Sequence, residues 1–230
     1  MKIKFLIIIS VTLLVSCFSK NEEITQNEKE TQNLNADSTF TLTANQFAIN
    51  GEIDSAAKYY LKAIDNNPRN LNARFGISNV YYLQGEYLKQ KNELDIILAT
   101  DTSFYDAYLY RGMALRELQD YDSAFLNFSK SIQVGIEVSE CLMYIGQVYG
   151  ELENNVNAIE YFTKAITYSN NSPKHYFERG YFYLVQGDTQ KFCHDYTSSK
   201  NFGLLDSIAK GEYKSIQHEI EFYNKICNSY

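Results

Sequence analysis

Residues of the same kind recur in this chain every 34 positions, and that spacing restricts the fold more than any other feature. Gly112, Gly146 and Gly180 stand 34 apart, as do Ala124 and Ala158. Tyr60, Leu94, Phe128, Phe162 and Tyr196 form a bulky series at the same interval. A fixed period of this length means one supersecondary unit copied along the chain; no copy can bury its apolar face alone, so neighbours must stack. Counted from Asp37, the period gives five units without insertion: 37–70, 71–104, 105–138, 139–172 and 173–206. Apolar positions within a unit fall three and four apart, which gathers them on one helix face. Proline occurs only at Pro68 and Pro173, so long helices are permitted. The alternating runs and Gly/Pro turns that an all-β chain needs are missing.

Units of this length with Gly, Ala and aromatic residues at set offsets resemble the tetratricopeptide repeat. The resemblance implies an all-α fold: an α-solenoid of about five helical hairpins over 37–206, closed by a C-terminal capping helix over 207–230. In such a hairpin the eighth position, here Ala44, Ser78, Gly112, Gly146 and Gly180, is where the first helix meets the second. Ala56, Ala124 and Ala158 at the twentieth position let the backbones approach, and bulky residues such as Phe47, Tyr81 and Tyr149 fill the space between hairpins. Gly51, Gly85 and Gly187 fall at the turn inside a hairpin, where a helix ends readily in a left-handed residue. Some positions depart from the pattern. Gln90 and Phe192 replace the small twentieth residue, so units two and five are expected to pack less closely. Gln119 and Glu153 replace the turn glycine.

The first residues are set apart from the repeats. Lys2 and Lys4 precede an apolar run from Phe5 to Val15. That run has the form of a secretory h-region and is shorter than the roughly 20 residues a membrane-spanning helix needs. It ends in Leu14-Val15-Ser16-Cys17, which resembles the lipobox of bacterial lipoproteins. The resemblance implies a signal segment over 1–16 and a lipid attached to Cys17, which partners the protein with a membrane. Its place would be the outer membrane, on the periplasmic side rather than the cell surface. More than one acyl chain gives stable anchoring. Residues 17–36 read as the lipidated cysteine and a flexible tether, polar and without apolar periodicity; a free chain of that length spans roughly 25 Å. Loss of 1–16 removes two lysines and no acid, moving the net charge from −7 to −9. That balance argues against a nucleic-acid partner.

Beyond the repeats, Leu205, Ile208, Tyr213, Ile216, Ile220 and Tyr223 recur at roughly helical spacing among charged residues, as a capping helix or helix pair requires. Cys193 lies on the second helix of unit five and Cys227 near the end of the cap. Gly187-Asp188 followed by Cys193-His194-Asp195 and a late cysteine resembles the ends of many bacterial tetratricopeptide lipoproteins. Export places these cysteines in an oxidising compartment, so Cys193 and Cys227 are either a disulfide that staples the cap or two buried thiols. Cys141 reads as a small core filler. Neighbours on a helix point about 100° apart, so Cys193, His194 and Asp195 do not form a catalytic set. His175 and His218 have no companion at metal-ligand spacing, and no phosphate-binding glycine loop occurs. No catalytic residue, metal or cofactor is expected.

In the family that the repeats resemble, first helices line a concave face. Carried onto this chain, the positions that point into it include Phe75, Asn79 and Tyr82 in unit two, Met113 and Arg116 in unit three, Gln147 in unit four, and Phe177 and Tyr181 in unit five. About half of such residues are expected to pack between neighbouring first helices. A clamp for a C-terminal carboxylate is not supported: Asn45 fits, but Thr41, Gly76, Asp106 and Tyr110 stand at its other places. Acidic residues in mid-groove, including Glu117 and Glu151, favour a partner segment of basic and apolar character. The expected function is a non-enzymatic adaptor holding a protein or peptide partner. A structural or self-associating envelope component is the alternative, and a third reading is an enzyme or glycan-binding accessory, for which Phe177 and Tyr181 are the candidate aromatic platforms.

Overall fold

The computed structural model describes residues 36–210 and 219–228. The signal segment, Cys17 and almost all of the tether lie outside the described residues, as do Tyr213, Ile216 and His218 of the cap. No helix among the described residues is long and apolar enough to cross a membrane. All regular structure in them is helical. The chain divides into two compact units, one ending at Thr100 and the other beginning at Asp101.

The first unit holds two helical hairpins: α1 (36–49) with α2 (Ile53–Asn66), and α3 (Leu71–Leu83) with α4 (Tyr87–Thr100). Ala44, Ala56, Tyr60, Ala63, Ala73, Ile77 and Val80 form its core. The Tyr60 ring lies where a Cβ on Gly76 would stand, 2.2 Å from its nearest atom. Glycine at 76 therefore lets the second hairpin close onto the first.

The second unit stacks three hairpins: α5 (Asp106–Glu117) with α6 (Tyr121–Gln133), α7 (Val138–Glu151) with α8 (Asn155–Tyr168), and α9 (Pro173–Val185) with α10 (Thr189–Asn201). Pro173 opens α9, where its missing N–H costs nothing. The second helices α6 and α8 each send an aromatic both inward and onward. Phe128 fills the space above Gly112 and stacks on Tyr144 of the next hairpin at 5.6 Å between ring centroids. Phe162 does the same with Gly146 and Phe182, at 5.4 Å. Half-buried cations link the two helices of a hairpin: the Arg111 Nε donates to Asn127, and Arg179 grips Asp195 through Nε and Nη2, each at 2.8 Å.

Unit five is not loosened by its large twentieth residue, and in unit two Gln90 is enclosed although neither its Nε2 nor its Oε1 has a hydrogen-bond partner. Gln90 and Phe192 are fully buried. A Cβ on Gly180 would stand 3.1 Å from the Asp195 Cβ, so α9 and α10 run close together. In unit five the eighth residue, Gly180, keeps the approach beside Phe192; in unit two it is Ser78, which is fully buried like Gln90.

The cap is a pair of short helices, α11 (Leu204–Ala209) and α12 (Ile220–Cys227). Tyr223 of α12 sits among Phe177, Phe192 and Tyr196 at 6.0, 5.3 and 5.8 Å. Asn224 beside it accepts from the Tyr196 hydroxyl and from Lys200. Cys193 and Cys227 are joined as a disulfide that ties α12 to α10. Cys141 is an unbonded, buried thiol.

Candidate functional site

The last turn of α5 ends beside the middle of α7, and α7 beside the middle of α9, so their polar residues meet in one row. Arg116 is the centre. Its Nη1 donates to the Gln147 Oε1 and its Nη2 to the Glu117 Oε1, with the Glu151 carboxylate 3.8 Å from Nε. Gln147 passes the row on, donating through Nε2 to the Glu178 Oε1 at 2.9 Å. The guanidinium lies 5.3 Å from the Tyr144 ring centre and Lys174 5.6 Å from the same ring, both within cation–π range.

An open cavity of about 680 Å³ lies over this row, bounded by Arg116, Gln147, Glu151, Glu178, Tyr181 and Val185. Its floor is shaped by Gly150, where the Phe182 ring occupies the place a Cβ would need. Tyr181 and Val185 keep 45% and 52% of their surface in solvent. Glu151, Glu153 and Glu178 face one arginine here, so the cavity is acidic. Burial pushes the Glu178 carboxyl above the usual range, against the Gln147 hydrogen bond and the Lys174 and Arg116 charges, which pull it down. The arrangement is a fixed acidic and hydrogen-bonding floor with exposed apolar walls. It can hold a chain segment; among the described residues, no group of three or more His, Cys, Asp or Glu side chains is arranged to hold a metal.

The residues expected at the groove separate into three groups. Arg116, Gln147 and Tyr181 come together at this cavity. Phe75 and Asn79 line a different one, in the first unit, while Tyr82 packs its ring 5.8 Å from Tyr87. Met113 and Phe177 do not belong to an open groove: they are 8% and 7% exposed. Phe177 is covered because the cap places Tyr223 on it, and a cap formed in part from distant sequence cannot be read from the position of Phe177 in its repeat. Glu178 was missed. The available signal was its place three residues before Tyr181, which sets both on one helix face.

The tetratricopeptide repeat family matches this chain twice, over residues 44–89 and 139–172. A TPR repeat-containing protein of Methanocaldococcus jannaschii is 28% identical over 209 residues, covering 78% of this chain and 36% of the relative. The chain thus spans only about a third of that relative's length. Among solved structures, PilF of Pseudomonas aeruginosa gives a TM-score of 0.66 at 18% identity, over 86% of this chain and 89% of that one. A TPR protein of Thermus thermophilus gives 0.65 at 16% identity, over 78% and 98%. YrrB, described as a TPR protein with an unusual peptide-binding site, gives 0.55 at 17% identity, over 75% and 90%. Tetratricopeptide repeats are therefore present in this chain, and its all-α hairpin stack is the fold of tetratricopeptide solenoids.

Proposed function

We propose that this chain is a non-enzymatic protein-interaction adaptor whose second unit holds a partner segment of basic and apolar character in its first-helix groove. The observation that carries the reading is the row Arg116–Gln147–Glu178 beneath an open, acidic cavity. A polar floor already fixed by its own hydrogen bonds loses little freedom on binding, and exposed apolar walls supply burial. The peptide-binding site described for YrrB supports the idea by likeness of fold alone. We further propose that Cys17 carries lipid and holds the protein at the outer membrane on its periplasmic side, with the polar stretch after it as a tether. The lipobox-like residues before Cys17 support this reading.

The test is fluorescence anisotropy with labelled peptides that combine lysine or arginine with leucine or phenylalanine. Binding is expected to weaken by about tenfold or more in Tyr181→Glu and in Glu178→Lys, with helicity by circular dichroism unchanged. Phe177 is left intact because it belongs to the core. Equal affinity in both variants would remove the site, and self-association of the protein with no peptide bound would favour the structural alternative. Cys17→Ser is expected to leave the membrane fraction; persistence there would end the anchoring idea.

A further inference from the structure

The charges around the cavity between α7 and α9 do not balance. Arg116 is matched from within the protein: its Nη2 donates to Glu117, and Glu151 stands 3.8 Å from its Nε. Glu178 takes its hydrogen bond from Gln147, an amide that brings no charge. Glu153, in the turn between α7 and α8, lines the same cavity and adds a further carboxylate. Glu151, Glu153 and Glu178 together therefore leave the space short of positive charge, and a ligand that supplies a cation is favoured there. Burial raises the Glu178 carboxyl, so a cation brought beside it also relieves a poorly solvated charge.

The walls decide which cation fits. Tyr181, Phe182 and Val185 form them. Tyr181 meets Phe182 edge to face, 5.5 Å between ring centroids, and stays half-exposed on the cavity. An ammonium is a compact, strongly hydrated charge that gives up water reluctantly beside such walls. A guanidinium is flat and weakly hydrated; it stacks on an aromatic face while its edge donates to carboxylates in a fork. One hairpin face of this unit already uses that pairing. Arg179 lies 5.9 Å from the Tyr176 ring centre and 5.8 Å from that of Tyr183, and it grips Asp195 through two nitrogens. The cavity presents the same two elements, a tyrosine ring at 181 and carboxylates at 151 and 153.

We infer that the cavity selects an arginine side chain of the partner segment over lysine, stacked on Tyr181 with its guanidinium held by Glu151 and Glu153. This rests on the adaptor reading above and narrows it to one residue type. It also makes Glu153 a specificity residue. Glu153 holds a left-handed backbone with φ of 58°, and Gln119 holds the same state, φ 62°, at the matching turn of the preceding hairpin, outside the cavity lining. Glycine at either position relaxes the turn, but only at 153 does it also take a carboxylate from the cavity.

The test is a calorimetric titration of the full-length protein with acetylated, amidated peptides that differ at one position only. That position holds arginine, lysine or citrulline, and leucine and phenylalanine flank it. The arginine peptide is expected to bind about tenfold or more tightly than the lysine peptide. Citrulline keeps the flat shape without the charge and is expected to bind more weakly than arginine by at least as much. Glu153→Gly should erase the arginine preference with no fall in its unfolding midpoint, so that poor folding does not account for the loss. Gln119→Gly, the same backbone change away from the cavity, should keep the preference. Equal binding of the arginine and lysine peptides would overturn the inference and leave the adaptor reading standing. Equal binding of the citrulline peptide, or an arginine preference retained in Glu153→Gly, would overturn it as well. Binding of none of the peptides would remove both the inference and the reading on which it rests.

Discussion

At the third position of successive units the buried side chain changes from Ala73 and Ala107 to Cys141 and then His175, all four without solvent exposure. The imidazole is the only one of these that titrates near neutral pH. Neither ring nitrogen has a hydrogen-bond partner, and the Glu140 carboxylate stands 3.6 Å from Nε2. Burial, reinforced by the Lys174 charge, lowers the His175 pKa from 6.5 to about 4, so Glu140 does not offset the loss of water. A folded-state pKa below the unfolded one means that the unfolded chain takes up the proton first. The stability associated with neutral His175 is thus complete above about pH 6.5 and is lost as pH falls toward 4. The difference is worth roughly 3 kcal/mol. Urea unfolding from pH 7 to pH 4 should show this decline, and His175→Ala, which restores the alanine of units two and three, should flatten it. An equally steep decline in the variant would assign the effect to other groups. Cys141 shows the same burial by another route: desolvation pushes its thiol up to about 11, so it is a core residue and a poor nucleophile.

At the scale of the helix and its turn, the five hairpin connections share one geometry although their sequences differ. Gly51, Gly85, Gln119, Glu153 and Gly187 all have left-handed backbones, with φ of 78°, 74°, 62°, 58° and 81°. The following N–H reaches back to a carbonyl five residues earlier in every case: Glu52 to Phe47, Glu86 to Tyr81, Asp120 to Leu115, Asn154 to Tyr149 and Asp188 to Tyr183. This is the Schellman closure of a helix end. Asp120, Asn154 and Asp188 then cap the next helix with their side chains. The hydrogen bonds and the helix packing on either side therefore impose the left-handed state on Gln119 and Glu153, where a Cβ is unfavourable by about 1 kcal/mol or more. Gln119→Gly and Glu153→Gly are expected to raise stability by about 0.5–1 kcal/mol each, after the greater chain entropy of glycine is allowed for. Chemical denaturation would measure it; a loss of stability would show that the Gln119 and Glu153 side chains contribute more than the backbone strain costs. The turns were legible because spacing alone located them. The small eighth residue was legible as the meeting point of the two helices, but that Gly112 and Gly146 face Phe128 and Phe162 within one hairpin was not, because spacing set that aromatic series between hairpins. The tightness of unit five was not legible, because it depends on Gly180 standing beside Phe192. The acidic groove was legible in Arg116, Gln147 and Tyr181, but Glu178 acquires its role only when α7 brings Gln147 to it.

For the molecule as a whole, the end of a stack is its weakest point, because the last hairpin has a neighbour on one side only. Here the exposed side of α9 and α10 is covered by α12, an eight-residue helix. A helix of that length is not stable by itself in water. Its position is held by Tyr223 among three aromatic rings, by Asn224, and by the covalent link from Cys227 to Cys193 across 34 residues. In the loop-entropy view, closing a loop of that length stabilises the folded state by about 4 kcal/mol, comparable to what one buried tyrosine and two hydrogen bonds are worth together. The disulfide is thus a large share of what keeps the cap in place. The energetics of stacked repeats are close to nearest-neighbour, so loss of the cap should be felt first by the hairpin it covers. Hydrogen exchange of Cys193→Ser/Cys227→Ser is expected to show faster exchange in α9, α10 and α12. Protection of α3 and α4 should be unchanged, and the midpoint of chemical unfolding should fall. Uniform loss of protection through all the described helices would mean instead that the chain unfolds as one cooperative block. An unchanged exchange pattern would show that the aromatic seat of Tyr223 is sufficient to hold α12.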